Sequence, residues 1–311
     1  MIRPGYSTIG RPRLYRAWAV VGFISSWLLC LLSADGAPVR VASFNVYNYL
    51  ITDRRVEGVY RRDYPKPETE KRAIRTAVNH VQPDVLALQE IGGAGFLREF
   101  KEDLKAEGLE YPYQVLMEAS DTERHTAVLS KLPFVEVYRH TDLGFNYFRE
   151  DASVLRGLLE VVFETEGQRW SVFVVHLKSR RTVRNDDSQA NRYRLSEARL
   201  CRKRINERYP AHTKGLYLIV GDFNATKGSS VLKKFLRGGE ILATPAADSN
   251  GEVWTYYYAR EDVYERVDFL LTSEALFEKV LHKQGTILDT PRILEGSDHR
   301  MLYLDLDFDA E

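Results

Sequence analysis

Six segments of this chain end an apolar run with a polar side chain able to bind a cation or move a proton. They are SFN, closing on Asn45; LALQE, closing on Glu90; FVVH, closing on His176; LIVGDFN, carrying Asp222 and Asn224; RVDFLL, carrying Asp268; and GSDH, carrying Asp298 and His299. Loops at the ends of buried strands are where a rigid scaffold presents reactive groups. One carboxylate or amide in such a place is more often a turn former or a helix cap. Six in one chain, all oxygen or imidazole and none a thiolate, ask for a chemical reading. Hard carboxylate and amide oxygens suit Mg²⁺, with Mn²⁺ and Ca²⁺ as alternatives, better than they suit zinc. Such a cation stabilises the negative charge that develops on phosphoryl oxygens. Two imidazoles can donate hydrogen bonds to a phosphate or protonate a leaving oxygen, and a nearby carboxylate can take a proton from water. The reaction class these groups fit is attack of water on a phosphate ester, which requires no Ser or Cys nucleophile.

The elements that must hold these groups are legible in the hydrophobic pattern. Val39–Asn45 alternates as a strand, and Val85–Gln89 and Leu216–Val220 read as strands covered on both faces. Strands are also expected near Tyr113–Met117, Thr126–Leu129, Phe134–Tyr138, Arg266–Leu271 and Met301–Leu306, with a hairpin of Leu155–Phe163 and Arg169–His176 around Glu166-Gly167. Helices are predicted from Lys66 to Val81, from Gly95 to Glu107 and from Ser188 to Tyr209, and Ser229 can cap a shorter one ending near Gly238-Gly239. About ten strands and three or four helices without regular alternation suggest two packed sheets with helices outside. No G-x-G-x-x-G and no phosphate-binding P-loop sequence is present, so no nucleotide cofactor is expected.

The composition bounds the reading. With 311 residues, 44% hydrophobic and 28% charged, the chain has an ordinary globular mixture. Its 44 basic and 44 acidic residues balance, which argues against attachment to nucleic acid by bulk charge alone. Two cysteines, Cys30 and Cys201, exclude a zinc-thiolate module and a disulfide-stapled fold. The first residues are basic, the uncharged run AWAVVGFISSWLLCLL follows, and small residues come after it. This pattern describes a secretory signal peptide over 1–36, with cutting after Gly36, leaving a single domain over 38–311. The other reading of the run is a membrane anchor, for which it is slightly short of the roughly 20 residues needed. A monomer located outside the cytoplasm, secreted or periplasmic, is the expectation.

Read in order, SFN, LQE, GDFN and GSDH resemble the endonuclease/exonuclease/phosphatase superfamily, which includes pancreatic-type deoxyribonucleases, apurinic endonucleases, sphingomyelinases and inositol-polyphosphate phosphatases. The likeness covers nearly all of residues 39–308. It implies an α/β fold, a four-layer α/β/β/α sandwich of two mainly antiparallel sheets flanked by helices. It implies Glu90 as the main metal ligand with Asn45 beside it and Asp298 by metal and phosphate. It implies that Asp222 orients or activates the attacking water, that Asn224 holds that water or the phosphate, that His176 contacts the scissile phosphate, and that Asp268 fixes the ring of His299. Many relatives place an acid two residues beyond the first Asn. Tyr47 stands there in this chain, so the implied metal shell has one carboxylate fewer.

The stretch after His176 bears on the substrate. From Lys178 to Arg208 there are 11 Lys or Arg against 4 Asp or Glu. Part of this is a solvated helix face; the rest suits a polyanion. HLKS followed by Gln189, Asn191 and Arg194 also resembles secreted bacterial nucleases of the superfamily. Lys178, Arg180, Arg181 and Arg194 are the candidate phosphate contacts. Nucleic acid is the expected substrate, and a phospholipid or sugar phosphate the alternative. Trp254, Tyr256, Tyr257, Tyr258 and Tyr264 read as strand packing ahead of base stacking. Glu123, Arg124 and His125 could reach the site or form a turn. His80, His140, His212 and His282 read as surface residues.

Overall fold

Two parallel strand pairs set the geometry of the molecule. In the computed structural model, which describes residue 1 and residues 36–309 except 183 and 291, Val39–Tyr49 lies parallel to Val85–Ile91, and Gln168–His176 parallel to Leu216–Asp222. Each pair sits inside its own sheet. The first sheet has seven strands in the order Ala246–Ala247, Gly285–Ile287, Leu302–Leu306, Val39–Tyr49, Val85–Ile91, His125–Ser130, Tyr113–Met117. The second has six, ordered Ile241–Ala243, Asp268–Ser273, Leu216–Asp222, Gln168–His176, Leu158–Thr165, Glu136–His140. The remaining pairings are antiparallel, apart from the short Ala246–Ala247 edge strand, which runs parallel to Gly285–Ile287. Parallel neighbours end at the same edge of a sheet, and an antiparallel neighbour begins there. One edge therefore collects the C-termini of the four central strands together with the N-terminus of Asp268–Ser273 and the approach to Leu302.

Three apolar layers follow from the period of two along each strand. Val172 and Val174 face inward with Val41, Val85, Leu218 and Leu270, between the sheets. Their alternates Phe173 and Val175 face outward, under the helices Asn191–Arg208 and Ser230–Leu236. On the other flank Ala42, Phe44, Leu86 and Leu88 pack under Glu68–Val81 and Ala94–Ala106. The result is the α/β/β/α sandwich, and residues 36–311 form one compact unit. Of the segment read as a signal peptide, residues 2–35 lie outside those described. Among the described residues no helix is long and apolar enough to cross a membrane.

Several boundaries differ from the pattern, each with a cause. The long helix starts at Asn191 rather than Ser188, because the Asp187 carboxylate accepts the backbone N–H of Arg192 at 3.0 Å and so fixes the first turn. The strand expected from Arg266 starts at Asp268; the Arg266 guanidinium instead lies over the Phe269 ring at 5.0 Å. Two short hairpins were not legible, Thr52–Val56 with Val59–Tyr64 and Gly144–Tyr147 with Glu150–Ser153, whereas the aromatic stretch read as strand packing does pair, Tyr256–Tyr258 with Val263–Glu265. Ser229 does cap its helix, its Oγ accepting the Leu232 N–H at 3.2 Å. His140 is not a surface residue. It is buried, with Nε2 3.0 Å from Glu160 and Nδ1 2.8 Å from Arg204.

Candidate functional site

The shared edge brings the strand-end residues together. In the second sheet His176 and Asp222 are register partners, and Asp222 in turn pairs with Asp268. Such close approach depends on Gly221, whose φ is +133° and whose missing Cβ would lie 1.9 Å from the Val175 carbonyl oxygen. In the first sheet Asn45 and Gln89 are partners, and Glu90 follows in the left-handed region at φ +62°. The two sheets meet through side chains: Asn45 Nδ2 donates to Asp222 Oδ2 at 3.2 Å. The Glu90 Oε1 atom is 3.7 Å from His176 Nε2, which is itself 3.6 Å from Asp222 Oδ2.

The GSDH segment closes the site from the other side. Ser297 Oγ donates to the Asn45 carbonyl at 2.7 Å and accepts the His299 N–H at 3.0 Å, tying that loop to the end of its neighbouring strand. Asp268 Oδ2 accepts from His299 Nδ1 at 2.8 Å. The Nε2 atom of His299 is then directed at two carboxylates, 3.9 Å from Asp222 and 3.9 Å from Asp298. Thr255 Oγ1 accepts the N–H groups of both Val267 and Asp268 at 3.1 Å and so fixes the Asp268 backbone. Asn224, at φ +49°, donates from Nδ2 to Asp222 Oδ2 at 3.1 Å and to the Leu177 carbonyl at 2.9 Å.

The electrostatics divide the two histidines. Burial favours the neutral His176 imidazole, and Arg156, His299, Arg124 and Lys178 push the same way, so its pKa lies well below the usual value. Burial also opposes charge on His299, but the attraction and hydrogen bond of Asp268, with Asp222 and Asp298, outweigh it and raise its pKa well above the ordinary range. Burial pushes the Asp222 carboxyl up to about 7, with Asp268 adding to the rise and His299 and the Asn224 N–H opposing it. Burial lifts Asp298 to about 6, His299 opposing and Glu90 adding. The surroundings thus favour the neutral form of His176 and the charged form of His299, and burial holds the Asp222 carboxyl above the ordinary carboxylate range.

Two sets of oxygens bear on a cation. Single ligand atoms of Asp222, Asp268 and His299 lie within 4.8 Å of one another. Asp268 and His299 are already joined by a hydrogen bond through Oδ2 and Nδ1, which makes that trio a proton-handling group more than a cage. The Oδ1 atom of Asp298 is buried without a hydrogen-bond partner among the described residues. Among the described residues one Glu90 oxygen accepts a hydrogen bond, from the Asn48 N–H at 2.9 Å. Free carboxylate oxygens facing the same space as Asp222 fit a hard divalent cation.

Of the expected phosphate contacts, Lys178 and Arg181 flank the site. Arg181 is exposed and acts electrostatically on both Tyr47 and Tyr256, while Lys178 acts on His176. Arg180 is engaged by Glu265 at 2.8 Å. Arg194 is a correction: only 2% exposed, it donates to the carbonyls of Lys178 and Gln189 and to Asn191 Oδ1, so it braces the loop from within. Arg124 bridges to Asn48 Oδ1 at 2.8 Å, and Asp121 shapes the turn before it by accepting the N–H groups of Glu123 and Arg124. The aromatic cluster packs largely on itself, Tyr257 stacking on Tyr264 at 4.5 Å, while Tyr256 lies against the His299 ring at 4.9 Å.

Sequence reasoning missed Arg156. It is 7% exposed and pairs through Nη2 with Asp121 at 2.7 Å, yet among the described residues its Nε and Nη1 have no hydrogen-bond partner. It is the strongest cationic influence on His176. A buried guanidinium with free donors beside the site is an anion holder. The signal for it was its place just before Leu158–Thr165, the strand antiparallel to the one that ends in His176.

Comparison with known proteins identifies the family and the fold. A family model described as the endonuclease/exonuclease/phosphatase family matches residues 42–299. No curated protein matches the sequence. Among solved structures, sphingomyelinase C from Streptomyces griseocarneus is 18% identical with a TM-score of 0.61, covering 87% of this chain and 100% of its own. A variant of beta toxin from Staphylococcus aureus with bound magnesium ions is 18% identical with a TM-score of 0.62, covering 87% and 100%. The human Nocturnin catalytic domain with bound sulfate is 18% identical with a TM-score of 0.59, covering 86% and 93%. At such identities the likeness establishes the fold.

Proposed function

Because the chain belongs to the endonuclease/exonuclease/phosphatase family, whose members are metal-dependent phosphoric ester hydrolases, we propose that it is a phosphodiesterase acting on nucleic acid outside the cytoplasm. The observation that carries the substrate reading is the cationic side of the site: buried Arg156 with two unpartnered donor nitrogens, continued outward by Lys178 and exposed Arg181. A phosphodiester in a polymer presents a charge at the reacting centre and others on either side, and this arrangement suits both.

Glu90, Asp298 and Asn45 would hold a divalent ion, Mg²⁺ first, which when bound neutralises charge on the phosphoryl oxygens. Asp222, steadied by Asn224 and Asn45, accepts a proton from the attacking water. The imidazolium of His299, kept in one tautomer by Asp268, donates from Nε2 toward the phosphate. Neutral His176 and Arg156 supply further donors to the non-bridging oxygens. The basic, apolar and small-residue order of the first 36 residues supports export.

The likeness to sphingomyelinase C supports the alternative, a phospholipid or sugar-phosphate diester. Incubating the protein with plasmid, RNA, sphingomyelin and a phosphoinositide, in Mg²⁺, Mn²⁺ or EDTA, decides between them. Polynucleotide cleavage that EDTA abolishes is the expected result. Cleavage of lipid alone selects the alternative, and cleavage persisting in EDTA refutes metal dependence.

A further inference from the structure

Asp121 lies outside the strand-end constellation, in the connection between Tyr113–Met117 and His125–Ser130, yet its bonds run toward both Arg156 and Glu90. Its backbone N–H donates to the Leu155 carbonyl at 2.8 Å, and its Oδ2 atom pairs with Arg156 Nη2 at 2.7 Å. Attachment at two adjacent residues fixes the backbone and the guanidinium of that segment together. The other carboxylate oxygen, Oδ1, accepts the N–H groups of Glu123 and Arg124, each at 3.0 Å. The turn so formed carries Arg124, whose Nε donates to Asn48 Oδ1 at 2.8 Å. Asn48 in turn gives its N–H to Glu90 Oε2 at 2.9 Å. One carboxylate therefore joins the segment that presents Arg156 to the segment that steadies Glu90.

An ordinary turn-forming aspartate accounts for the bonds of Oδ1. It does not account for Oδ2, which is spent on a buried arginine of a distant segment. A guanidinium at that depth is costly without a counter-charge. Among the described residues Asp121 is the carboxylate paired with it, and it engages Nη2 while Nε and Nη1 have no hydrogen-bond partner. The charge is thus balanced and the planar fork held in one direction, with donors left for an anion. Arg156 and Arg124 both act electrostatically on His176, so both lie near the reacting centre. We propose that Asp121 is a positioning residue for the phosphate ester: it aims Arg156 at the phosphoryl oxygens and, through Arg124 and Asn48, holds Glu90 for the cation.

This inference deepens the phosphodiesterase reading and rests on it for the use of Arg156, and the measurements separate the two. Asp121→Asn keeps an acceptor for the two N–H groups but turns an amide donor against Arg156. Asp121→Ala removes both. They are compared in the full chain with Arg156→Gln and with the pair Asp121→Asn/Arg156→Gln, which strands no buried charge should the first variant not fold. Three quantities are read: binding of inorganic phosphate to the Mg²⁺-loaded protein by calorimetry, kcat and KM for bis(p-nitrophenyl) phosphate, and Mn²⁺ affinity by electron paramagnetic resonance. Asp121→Asn should bind phosphate roughly tenfold or more weakly and lose kcat in proportion, with Mn²⁺ affinity unchanged. Asp121→Ala should in addition bind Mn²⁺ roughly tenfold more weakly. Adding Asp121→Asn to Arg156→Gln should change neither phosphate binding nor turnover, because the carboxylate acts through that guanidinium. A merely structural role would make the two losses additive, and additive losses overturn the proposal. So does wild-type phosphate binding in Asp121→Asn while Arg156→Gln is impaired. Unaltered Mn²⁺ affinity in Asp121→Ala overturns the link to Glu90. Full binding and turnover in Arg156→Gln remove that arginine from the site and the proposal with it. Phosphate binding that needs Asp121 and Arg156, in a wild-type protein that cleaves no diester, keeps the positioning role and overturns the phosphodiesterase reading.

Discussion

At the scale of single residues, the site depends on opposite charge states of two imidazoles. His299→Ala and Asp222→Ala should each lower kcat by more than about a thousandfold with circular dichroism unchanged; a purified variant within tenfold of wild type would remove that residue from the chemistry. The Asp268→Asn variant makes a sharper case. The raised pKa of His299 rests on the charge and hydrogen bond of Asp268, so removing that charge lets the imidazolium lose its proton at lower pH. The alkaline limb of the kcat profile should move toward acid, and a limb that stays in place would separate Asp268 from the titration. Most of these residues were legible because each interrupts an apolar strand at its end. Arg156 was not, because the strand expected from Leu155 starts only at Leu158 and so hid a loop arginine within it. Arg194 was misread for the opposite reason. A guanidinium within a basic run looks solvated, and only the fold shows that two backbone carbonyls and an amide oxygen take its place in water.

At the scale of elements, what matters is how strand ends are made to coincide. Gly221 permits the two central strands of the second sheet to converge with nothing between them. Gly221→Ala should destabilise by more than about 2 kcal/mol, since the methyl group meets a backbone oxygen and the backbone is left-handed there. A denaturant midpoint close to wild type would show that the strands part easily. The apolar strands and three main helices could be read from sequence because burial imposes its period on them. The hairpins at 52–64 and 144–153 could not, because exposed or half-exposed strands carry no such period.

At the scale of the whole molecule, the layers are pinned by buried charge as well as by apolar contact. Glu197, fully buried on the helix Asn191–Arg208, accepts the N–H of Lys178 at 2.6 Å and of Leu155 at 3.0 Å, joining the loop after His176 to the segment carrying Arg156. Burial pushes its carboxyl up to about 7, against the pull of those two N–H groups, Arg156 and Arg194. The folded protein then retains a proton that the unfolded chain releases near its ordinary pKa of about 4.3. Its stabilising share is complete below that value and fades as pH climbs toward 7. Melting temperatures of wild type should fall across this interval more steeply than those of Glu197→Gln, and parallel curves would disprove the linkage. Two packed sheets with helices outside were foreseeable from the count of strands and helices, and the order of the four layers from the family resemblance; their fastening was not, because a buried acid looks like any other glutamate in a basic helix. A last consequence comes from the way the centre is shared. Glu90 and Asn45 ride on one sheet, His176 and Asp222 on the other. Sliding one slab past its neighbour by an ångström would leave both intact yet misalign every donor, so turnover of a chromogenic diester works as a strain gauge for the joint between them and should fail on heating before any spectroscopic sign of melting.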